Sequence, residues 1–524
     1  MKLRTIVKIA ITSSVVLLCS GFALYSFFRL SAAEGQKDFN LYELVPSTTS
    51  AVFVTDDVLE FVAEVDELTC SKNQQYLYVS KLFSYLKQSL YALSEDTPHG
   101  LSRQMNQMLI SFHEPDNERN QVLYCRLGNG DKELVNRFVR KYISSLYPPK
   151  TFVYKGEEII IYPMADGDFL ACYLTSDFMA LSFQKKLIEN VIDAYKSGKS
   201  LADDSTFTGI RAPKKSAAAA TIYTRMQGMM GWTEFDMKMK DDFIYFSGIT
   251  HDADTCFAFI NQLRQQQSVK GFPGEVLPST AFYFSRQGIT DWVSLLSYGN
   301  AQGQSVPART SEVQNRDKEF SRYLMENAGQ DLVACLFQRE DTLQGAAAVL
   351  SLSVADVTEA ERMLRALVNA APADEGRRNP RITFCYTVNK AYPIYRLPQT
   401  TLFEQLTSFA EPTLDVYAAF YVGRLLLAPD ADALAHYIRQ LDKGEVLNGA
   451  MAYQTGMDHL SDSYHFMLMA DFDHIFQQSE NHVRFVPDFF LRNADFFRHF
   501  TLFVQFACAD GVVYPNIVLK YKSE

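Results

Sequence analysis

The sequence has few residues that break secondary structure and no excess of positive charge. It contains 25 glycines and 18 prolines among 524 residues, whereas average proteins use about 12% of these two types together. This scarcity excludes a collagenous, disordered or linker-dominated chain. The formal net charge is -11, which gives no electrostatic basis for holding a polyphosphate backbone. We therefore expect no nucleic-acid partner.

The sequence also lacks the motifs that mark common catalytic sites. No G-x-x-x-x-G-K-[ST], G-x-G-x-x-G, H-E-x-x-H or G-x-S-x-G occurs, so phosphate-loop, dinucleotide, zinc-protease and serine-elbow chemistry have no support. S-x-x-K occurs at Ser84 to Lys87 and at Ser182 to Lys185. Penicillin-recognising enzymes also need Lys-Thr-Gly, which this sequence does not contain. We expect neither serine to be a nucleophile.

A polar cluster near the C-terminus is the best candidate for a metal site. Its density of imidazoles and carboxylates suits a transition metal. The spacing nevertheless favours helix caps, strand-edge charges and a packed imidazole, so we expect no metal, cofactor-binding or catalytic residues in this chain. The cluster comprises Asp458, His459, Asp462, His465, Asp471, Asp473, His474 and His482.

Other charged segments have simple structural explanations. His113-Glu114 precedes a proline and indicates a hairpin turn between residues 110 and 127. Asp430 and Asp432 follow Pro429 and indicate a capped helix start. The basic loop from Arg377 to Arg381 follows acidic residues, and we interpret it as solvated rather than phosphate-binding.

The N-terminus carries a long apolar run between basic residues. Residues 9–28 contain no charge, and twenty residues of helix match the roughly 30 Å of a bilayer core. Three basic residues precede the run, so the positive-inside rule predicts residues 1–8 in the cytoplasm. We expect a transmembrane anchor at 9–28, a tether at 29–40, and an extracytoplasmic or periplasmic body at the inner membrane.

Two alternatives to an uncleaved anchor arise from the same segment. Ser31-Ala32-Ala33 offers small residues for a signal peptidase, but an h-region is usually 7 to 15 residues long. Cys19 suggests a lipoprotein, but Leu17-Leu18 does not supply the small residue that lipidation needs.

The remaining cysteines predict no disulfide framework. Their number is odd, no C-x-x-C occurs, and most lie in apolar strand-like runs, where a thiol packs as a small hydrophobe. They are Cys70, Cys125, Cys172, Cys256, Cys335, Cys385 and Cys508.

An internal duplication is the most informative pattern after residue 40. The run from Glu43 to Thr48 resembles the run from Glu275 to Thr280. Phe152-Val153-Tyr154 resembles Phe384-Cys385-Tyr386, and a strand and helix ending at Leu201 resemble a pair ending at Leu447. An insertion at 401–413 accounts for the change of offset.

These patterns predict an α+β fold. We expect two tandem copies of a mainly antiparallel-sheet-plus-helices domain, at 41–270 and 275–524, after one transmembrane helix. The segment 270–274 is the predicted joint. We further expect a groove between the copies, flanked by the polar loop 299–316 and the insertion around Thr401 to Phe409, to be a binding site.

The opening LYELVPSTTSAVFVTDD at 41–57, the short anchor and the body length resemble an uncharacterised family of single-span envelope proteins of the Bacteroidota, the domain of unknown function 3352 family. The resemblance covers the whole chain and implies a location without an activity.

The sequence thus predicts a membrane-anchored extracytoplasmic binding or scaffold protein. Its expected partners are the lipid bilayer through residues 9–28 and an envelope protein, lipid or glycan. The alternative is a divergent hydrolase of envelope polymers, with paired carboxylates far apart in the sequence.

Overall fold

The computed structural model describes residues 39–73, 105–113, 119–128, 131–138, 147–164, 167–211, 218–225, 231–251, 258–290, 292–293, 295, 311–339, 345–370, 381–388, 390–398, 400–401, 403, 406–407, 415–478, 486 and 488–522. The predicted anchor at 9–28 lies outside these residues.

The first half of the chain contributes ten described strands to one sheet. They pair in the spatial order β4-β5-β6-β7-β3-β2-β1-β8-β9-β10, and every pairing is antiparallel. Their bounds are β1 Ala51–Thr55, β2 Met108–Phe112, β3 Gln121–Arg126, β4 Lys150–Tyr154, β5 Glu157–Pro163, β6 Phe169–Leu174, β7 Phe178–Ser182, β8 Ala220–Thr224, β9 Trp232–Lys240 and β10 Phe243–His251.

The second half contributes ten further described strands in the matching order β15-β16-β17-β18-β14-β13-β12-β20-β21-β22. A separate two-stranded sheet joins β11 to β19. The bounds are β11 Val269–Lys270, β12 Ala281–Gly288, β13 Ala328–Gln338, β14 Ala346–Val354, β15 Ile382–Tyr386, β16 Ala391–Pro398, β17 Asp415–Tyr421, β18 Arg424–Ala428, β19 Ser463–Tyr464, β20 Phe466–Asp471, β21 Phe500–Ala509 and β22 Val512–Tyr521.

The two halves form one continuous structure, and the prediction of two tandem domains is wrong. Strand β10 pairs with β22 in antiparallel register, with Ser247 opposite Asn516, so that twenty described strands form a single main sheet. The physical reason is that each half would otherwise present an edge strand with unpaired N–H and C=O groups. Pairing the two edges satisfies these groups.

The membrane-spanning part of the predicted fold has no counterpart in the described residues. None of the helices that the structure describes is long and apolar enough to cross a bilayer. The described fold is a single large antiparallel sheet with helices, rather than the pair of separate domains that the sequence predicted.

Helices pack on both faces of the main sheet. Their bounds are α1 Val58–Glu67, α2 Thr69–Lys72, α3 Asp131–Phe138, α4 Lys185–Ser197, α5 Ser205–Ile210, α6 Ala258–Arg264, α7 Ser311–Asn327, α8 Val357–Ala370, α9 Ala431–Asp442, α10 Met451–Met457, α11 Phe472–Phe476, α12 Asp488–Arg492 and α13 Ala494–Phe497. Short 3₁₀ segments lie at Leu41–Leu44, Pro273–Glu275 and Leu447–Gly449.

Alternation along the strands divides the core between the two faces. In β1, Phe53 belongs to a core that runs through both halves and includes α1, α7 and α8. Its neighbour Val52 belongs to a separate core beneath α4 and α5, and the corresponding core of the second half lies beneath α9 and α10. We call the side that carries α4, α5, α9 and α10 the outer face.

The helices on the outer face begin and end where their sequences predict. Asp430 caps α9 by accepting a hydrogen bond from the Ala433 N–H at 2.7 Å, which confirms the predicted helix start. Helix α4 ends at Gly198 with φ +62°, a left-handed conformation that glycine adopts without strain.

The two matching Pro-Ser segments occupy matching places. Pro46 bridges to Ser200 after α4, and Pro278 bridges to Val446 after α9. The predicted joint is also held in place, because the Gly271 carbonyl accepts hydrogen bonds from Arg286 at 2.8 Å and from the Tyr464 hydroxyl at 2.8 Å. These contacts fasten the connection between the halves to the sheet.

Candidate binding surface at the centre of the main sheet

The centre of the outer face carries side chains that the flanking helices leave accessible. We define the central surface as Tyr245, Ser247, Tyr514 and Asn516, on the paired strands β10 and β22. Ser247 is exposed, Tyr514 is 41% exposed, and Tyr245 and Asn516 are partly exposed. The strand order places this surface between the helices of the first half and those of the second.

The central surface has an approximate twofold arrangement. Tyr245 and Tyr514 are each the third residue of the second strand in a hairpin, and Ser247 and Asn516 are each the fifth. Ser247 and Asn516 face one another in the register, with 3.4 Å between Oγ and Oδ1. Tyr245 lies opposite Val518, four residues from Tyr514, so the two tyrosines are about 14 Å apart along the strands.

A polar row crosses the sheet at the same level. Asp236 of β9 lies opposite Ser247, and Thr221 of β8 donates a hydrogen bond to Asp236 at 3.2 Å. Directly opposed residues share a face of the sheet. Hydroxyl, amide and carboxylate groups therefore adjoin across four strands, and the Ser247–Asn516 pair of this row lies between the two tyrosines.

The second half supports one side of the surface. The His459 ring lies 4.2 Å from the Phe243 ring, and its Nδ1 lies 3.2 Å from the Tyr245 hydroxyl. Lys520 Nζ lies 5.9 Å from the Phe243 ring centre and donates to the Ala452 carbonyl at 3.1 Å. These contacts fix the orientation of Tyr245 before any ligand arrives.

The titratable groups here suit binding rather than proton transfer. Partial burial, followed by the charge of Asp241, raises the pKa of Tyr245. Burial lowers the pKa of Lys520, which Asp242 partly opposes. A raised pKa keeps the Tyr245 hydroxyl protonated as a hydrogen-bond donor, and the Lys520 amine already donates to the Ala452 carbonyl. The arrangement can stack two rings on a ligand and exchange hydrogen bonds with polar groups between them.

The predicted polar cluster near the C-terminus is dispersed. Asp462 accepts a hydrogen bond from the Gly271 N–H at 3.1 Å, and His465 Nδ1 accepts one from the Cys508 N–H at 3.1 Å. Asp458 ends α10, His459 packs on Phe243, and His482 lies outside the described residues.

Asp471 and His474 come closest to a functional cluster. Asp471 caps α11, accepts a hydrogen bond from Lys522 at 2.6 Å, and lies 3.4 Å from His474 Nδ1. Asp473 shares the first turn of that helix. Across the part of the chain that the structure describes, no group of three or more His, Cys, Asp or Glu side chains could hold a metal ion.

The S-x-x-K serine that the structure describes is buried. Ser182 donates a hydrogen bond to the Gln121 carbonyl at 2.8 Å, and Lys185 pairs with Glu189 at 2.9 Å. Ser84 and Lys87 lie outside the described residues. Ser182 is therefore engaged in holding β7 beside β3.

Sequence reasoning missed a serine–histidine pair at the end of β2, formed by Ser111 and by His113, which follows the strand. Ser111 Oγ lies 2.9 Å from His113 Nε2 and 3.0 Å from the Tyr124 hydroxyl. Ser111 is fully buried, and burial lowers the pKa of His113 to about 4. The pair has nucleophile and base geometry without access for a substrate. The alternation of β2 could have shown that Ser111 and His113 share one face.

Two segments expected to flank a groove were the polar loop and the insertion. Where the structure describes these segments and the basic loop, they contain side chains that are buried or hydrogen-bonded to the rest of the fold. Buried Asp317 accepts hydrogen bonds from the Thr400 and Thr401 hydroxyls at 2.8 and 2.7 Å, and Phe403 is fully buried. Arg381 donates to the Val368 and Asn369 carbonyls at the end of α8. Residues 299–310 and Arg377 and Arg378 lie outside the described residues.

Where the sequence predicted a groove between two domains, β10 and β22 join the halves by backbone hydrogen bonding. Among the described cysteines, Cys70, Cys125, Cys172, Cys335 and Cys385 are buried free thiols, and Cys508 is a partly buried one.

Comparisons with known proteins do not extend this description. No family model, no curated protein and no solved structure matches the chain. The resemblance to the envelope-protein family of unknown function stays an expectation from the sequence.

Proposed function

We propose that this chain is a non-enzymatic binding or scaffold protein, held at a membrane by its N-terminal segment with the main sheet on the extracytoplasmic side. The observation that carries the binding role is the central surface, where two matching tyrosines flank a row of polar side chains. The location rests on the sequence alone, through the uncharged run 9–28 and the basic residues before it.

The chemistry of the central surface favours an extended, polar partner. Two rings about 14 Å apart along the strands suit a ligand that is longer than a single small molecule. Ser247 and Asn516 offer hydroxyl and amide groups between the rings, and Asp236 offers a carboxylate beside Ser247. A glycan strand or an extended peptide segment of the envelope has matching groups, because both alternate apolar faces with hydrogen-bonding groups.

The structure supports the hydrolase alternative less well than the binding role. The described pair with nucleophile and base geometry is Ser111 and His113, of which Ser111 is fully buried. Catalysis also requires a general acid or base within hydrogen-bond reach of a bound substrate. The central surface supplies groups for recognition, and Asp236 already accepts a hydrogen bond from Thr221.

Site-specific photo-crosslinking in the native membrane tests the binding role. A benzophenone amino acid at position 514 should yield a discrete adduct with an envelope component. The same amino acid at position 147, where Tyr147 is 73% exposed, is the matched control and should not yield that adduct. Identical adducts at both positions, or none, would contradict the proposal, as would turnover of an envelope polymer by the purified chain.

Topology is tested separately. A reporter fused after Glu524 that is active only outside the cytoplasm should be active in the wild-type chain. Activity of a cytoplasm-specific reporter at the same position would show that the proposed location is wrong.

A further inference from the structure

Two neighbouring hairpin turns in the second half present apolar side chains to solvent. We define the apolar tips as Tyr386, Val388 and Val422, which are 72%, 95% and 80% exposed. Isolated exposed apolar residues are common on proteins, but these three lie at adjacent turns. Their concentration requires a physical explanation.

The strand pairings place the turns side by side. β15 and β16 pair up to Tyr386 opposite Ala391, and the Thr387 N–H donates to the Lys390 carbonyl at 2.9 Å to close the turn. β17 and β18 pair up to Tyr421 opposite Arg424, which leaves Val422 and Gly423 as the second turn. Because β16 also pairs with β17, both turns lie at the same end of these strands.

Val422 occupies a conformation that a valine rarely adopts. Its φ is +43°, in the left-handed region, where branching at Cβ crowds the following carbonyl and destabilises the fold. The other described non-glycine residues with a positive φ are Lys155, Asp241 and Asp510. Folding alone would favour asparagine, aspartate or glycine at this turn, so a valine here lowers stability.

The matching turn in the first half is polar. Ala171 pairs with Ser182 there, as Tyr417 pairs with Ala428 in the second half, which places exposed Ser176 at the position of Val422. Its neighbours Thr175 and Asp177 are joined by a hydrogen bond of 3.2 Å. The fold therefore does not require an apolar residue at this tip.

Amphipathic side chains surround the base of the apolar tips. The rings of Tyr392 and Tyr421 lie 5.3 Å apart, and Lys390 Nζ lies 5.3 Å from the Tyr392 ring centre. The Tyr392 hydroxyl donates to Asp442 at 3.4 Å. Tyrosine and lysine with an apolar body and a polar end are typical of the boundary between lipid headgroups and acyl chains.

We propose that the apolar tips insert into the interfacial layer of a lipid bilayer. Protruding turns suit a deformable lipid surface, whereas protein hot spots lie in well-packed pockets near the centre of an interface. The inference rests on the proposed function, because the uncharged run in the 38 residues before Phe39 is what would place the body beside a membrane. The charged groups beside Tyr392 are of opposite sign, Lys390 and Asp442, so added salt should change the insertion little.

Tryptophan quenching in vesicles tests the insertion. The full chain is reconstituted into phosphatidylcholine vesicles with bromine atoms on the acyl chains near the headgroups. The two native tryptophans, Trp232 and Trp292, are 1% and 7% exposed and provide a constant background. Val422→Trp should be quenched about twofold or more, because interfacial residues reach roughly 5 to 10 Å into this boundary. Ser176→Trp, at the matching turn, is the control and should not be quenched beyond the background.

Equal quenching of the two variants, whether strong or absent, would overturn the proposal. Quenching of Val422→Trp that disappears at high salt would also contradict it, since the contact would then be electrostatic. Failure of the proposed membrane location gives a different result, because alkaline carbonate would then release the wild-type chain from the vesicles. A chain that resists carbonate while Val422→Trp stays unquenched would reject the tip insertion alone.

Discussion

His113 illustrates how a single buried residue makes stability depend on pH. Burial lowers the pKa of this imidazole to about 4, and its Nε2 lies 2.9 Å from Ser111 Oγ. The unfolded chain has a histidine pKa of about 6.5. Between these values the unfolded state binds a proton that the folded state does not, so stability must fall as the pH decreases from about 6.5 to 4.

Replacing His113 should remove part of this dependence. The two pKa values correspond to at most ~3 kcal/mol, and His113→Gln keeps a polar group near Ser111 without the titration. We expect the wild-type free energy of unfolding to fall more steeply than that of His113→Gln between pH 6.5 and 4.5, as measured by urea titration at fixed salt. Parallel pH profiles would mean that His113 takes up its proton at the same pH in the folded and unfolded chains.

Substitution of Val422 should stabilise the protein. Val422→Asn should relieve the crowding at φ +43° and raise the free energy of unfolding by about 1 kcal/mol. The measurement is the denaturant midpoint at an unchanged m-value. Asp241→Asn is the control, because aspartate and asparagine both tolerate this conformation. Loss of stability in Val422→Asn would show that the valine has a packing role in the folded chain.

At the scale of elements, a buried ionic network holds strands of the second half and the connection between the halves. Asp331 on β13, only 7% exposed, accepts hydrogen bonds from Arg286 at 3.1 Å and Arg424 at 3.3 Å. Burial alone would raise the pKa of Asp331, but Arg424, Ser353 and Arg286 hold it below its usual value. Arg286 also donates to the Lys270 and Gly271 carbonyls.

Removing the carboxylate charge should leave two guanidinium groups without compensation. Asp331→Asn is expected to lower the free energy of unfolding by about 3 to 5 kcal/mol, because breaking a buried pair leaves buried charge behind. The wild-type contribution should itself disappear as the pH falls through the lowered pKa of Asp331. Glu189→Gln, at an exposed pair with Lys185 and Lys186, is the control and should change stability little. Equal losses in both variants would contradict this assignment.

Local chemistry in the sequence predicted several elements correctly. The hairpin around His113 is found as β2 and β3, and the capping role of Asp430 follows from its side-chain oxygen. The likeness between the segments ending at Leu201 and Leu447 corresponds to a shared contact. The Leu201 N–H donates to the Val45 carbonyl and the Leu447 N–H donates to the Leu277 carbonyl, each at 2.9 Å.

One sequence match placed a strand one residue out of register. The sequence paired Phe152 with Phe384, but Thr151 lies opposite Ile160 and Ile382 lies opposite Tyr395. Ile160 lies opposite Cys172 of β6, and Tyr395 lies opposite Ala418 of β17, which is the matching position. Ile160 and Tyr395 are therefore equivalent, and Phe152 corresponds to Thr383. A slip of one residue moves side chains to the other face of a sheet, which is why a match of aromatic letters cannot determine the register.

At the scale of the whole molecule, the contact between β10 and β22 organises the main sheet. Strands that end the two halves of the chain pair there, more than 260 residues apart. Their sequences carry no local mark of this partner, because edge pairing uses backbone groups that every strand presents. Motif spacing therefore could not predict the fold class or the central surface. The register of β10 and β22 is needed to see that the two tyrosines belong to one surface.

The register at the centre of the main sheet can be tested with paired cysteines. Ser247 and Asn516 lie directly opposite one another, and opposed residues in antiparallel strands have Cα atoms about 4.5 to 5.5 Å apart, within the range that a disulfide spans. The double variant Ser247→Cys with Asn516→Cys should form this bond under mild oxidation, detected by mass spectrometry of the linked peptides. The control, Ser247→Cys with Lys520→Cys, displaces the second thiol by four residues, about 14 Å along the strand, and should stay reduced. A bond in the control but not in the matched pair would mean that β10 and β22 pair in a different register, which would also separate Tyr245 and Tyr514 from the polar row between them.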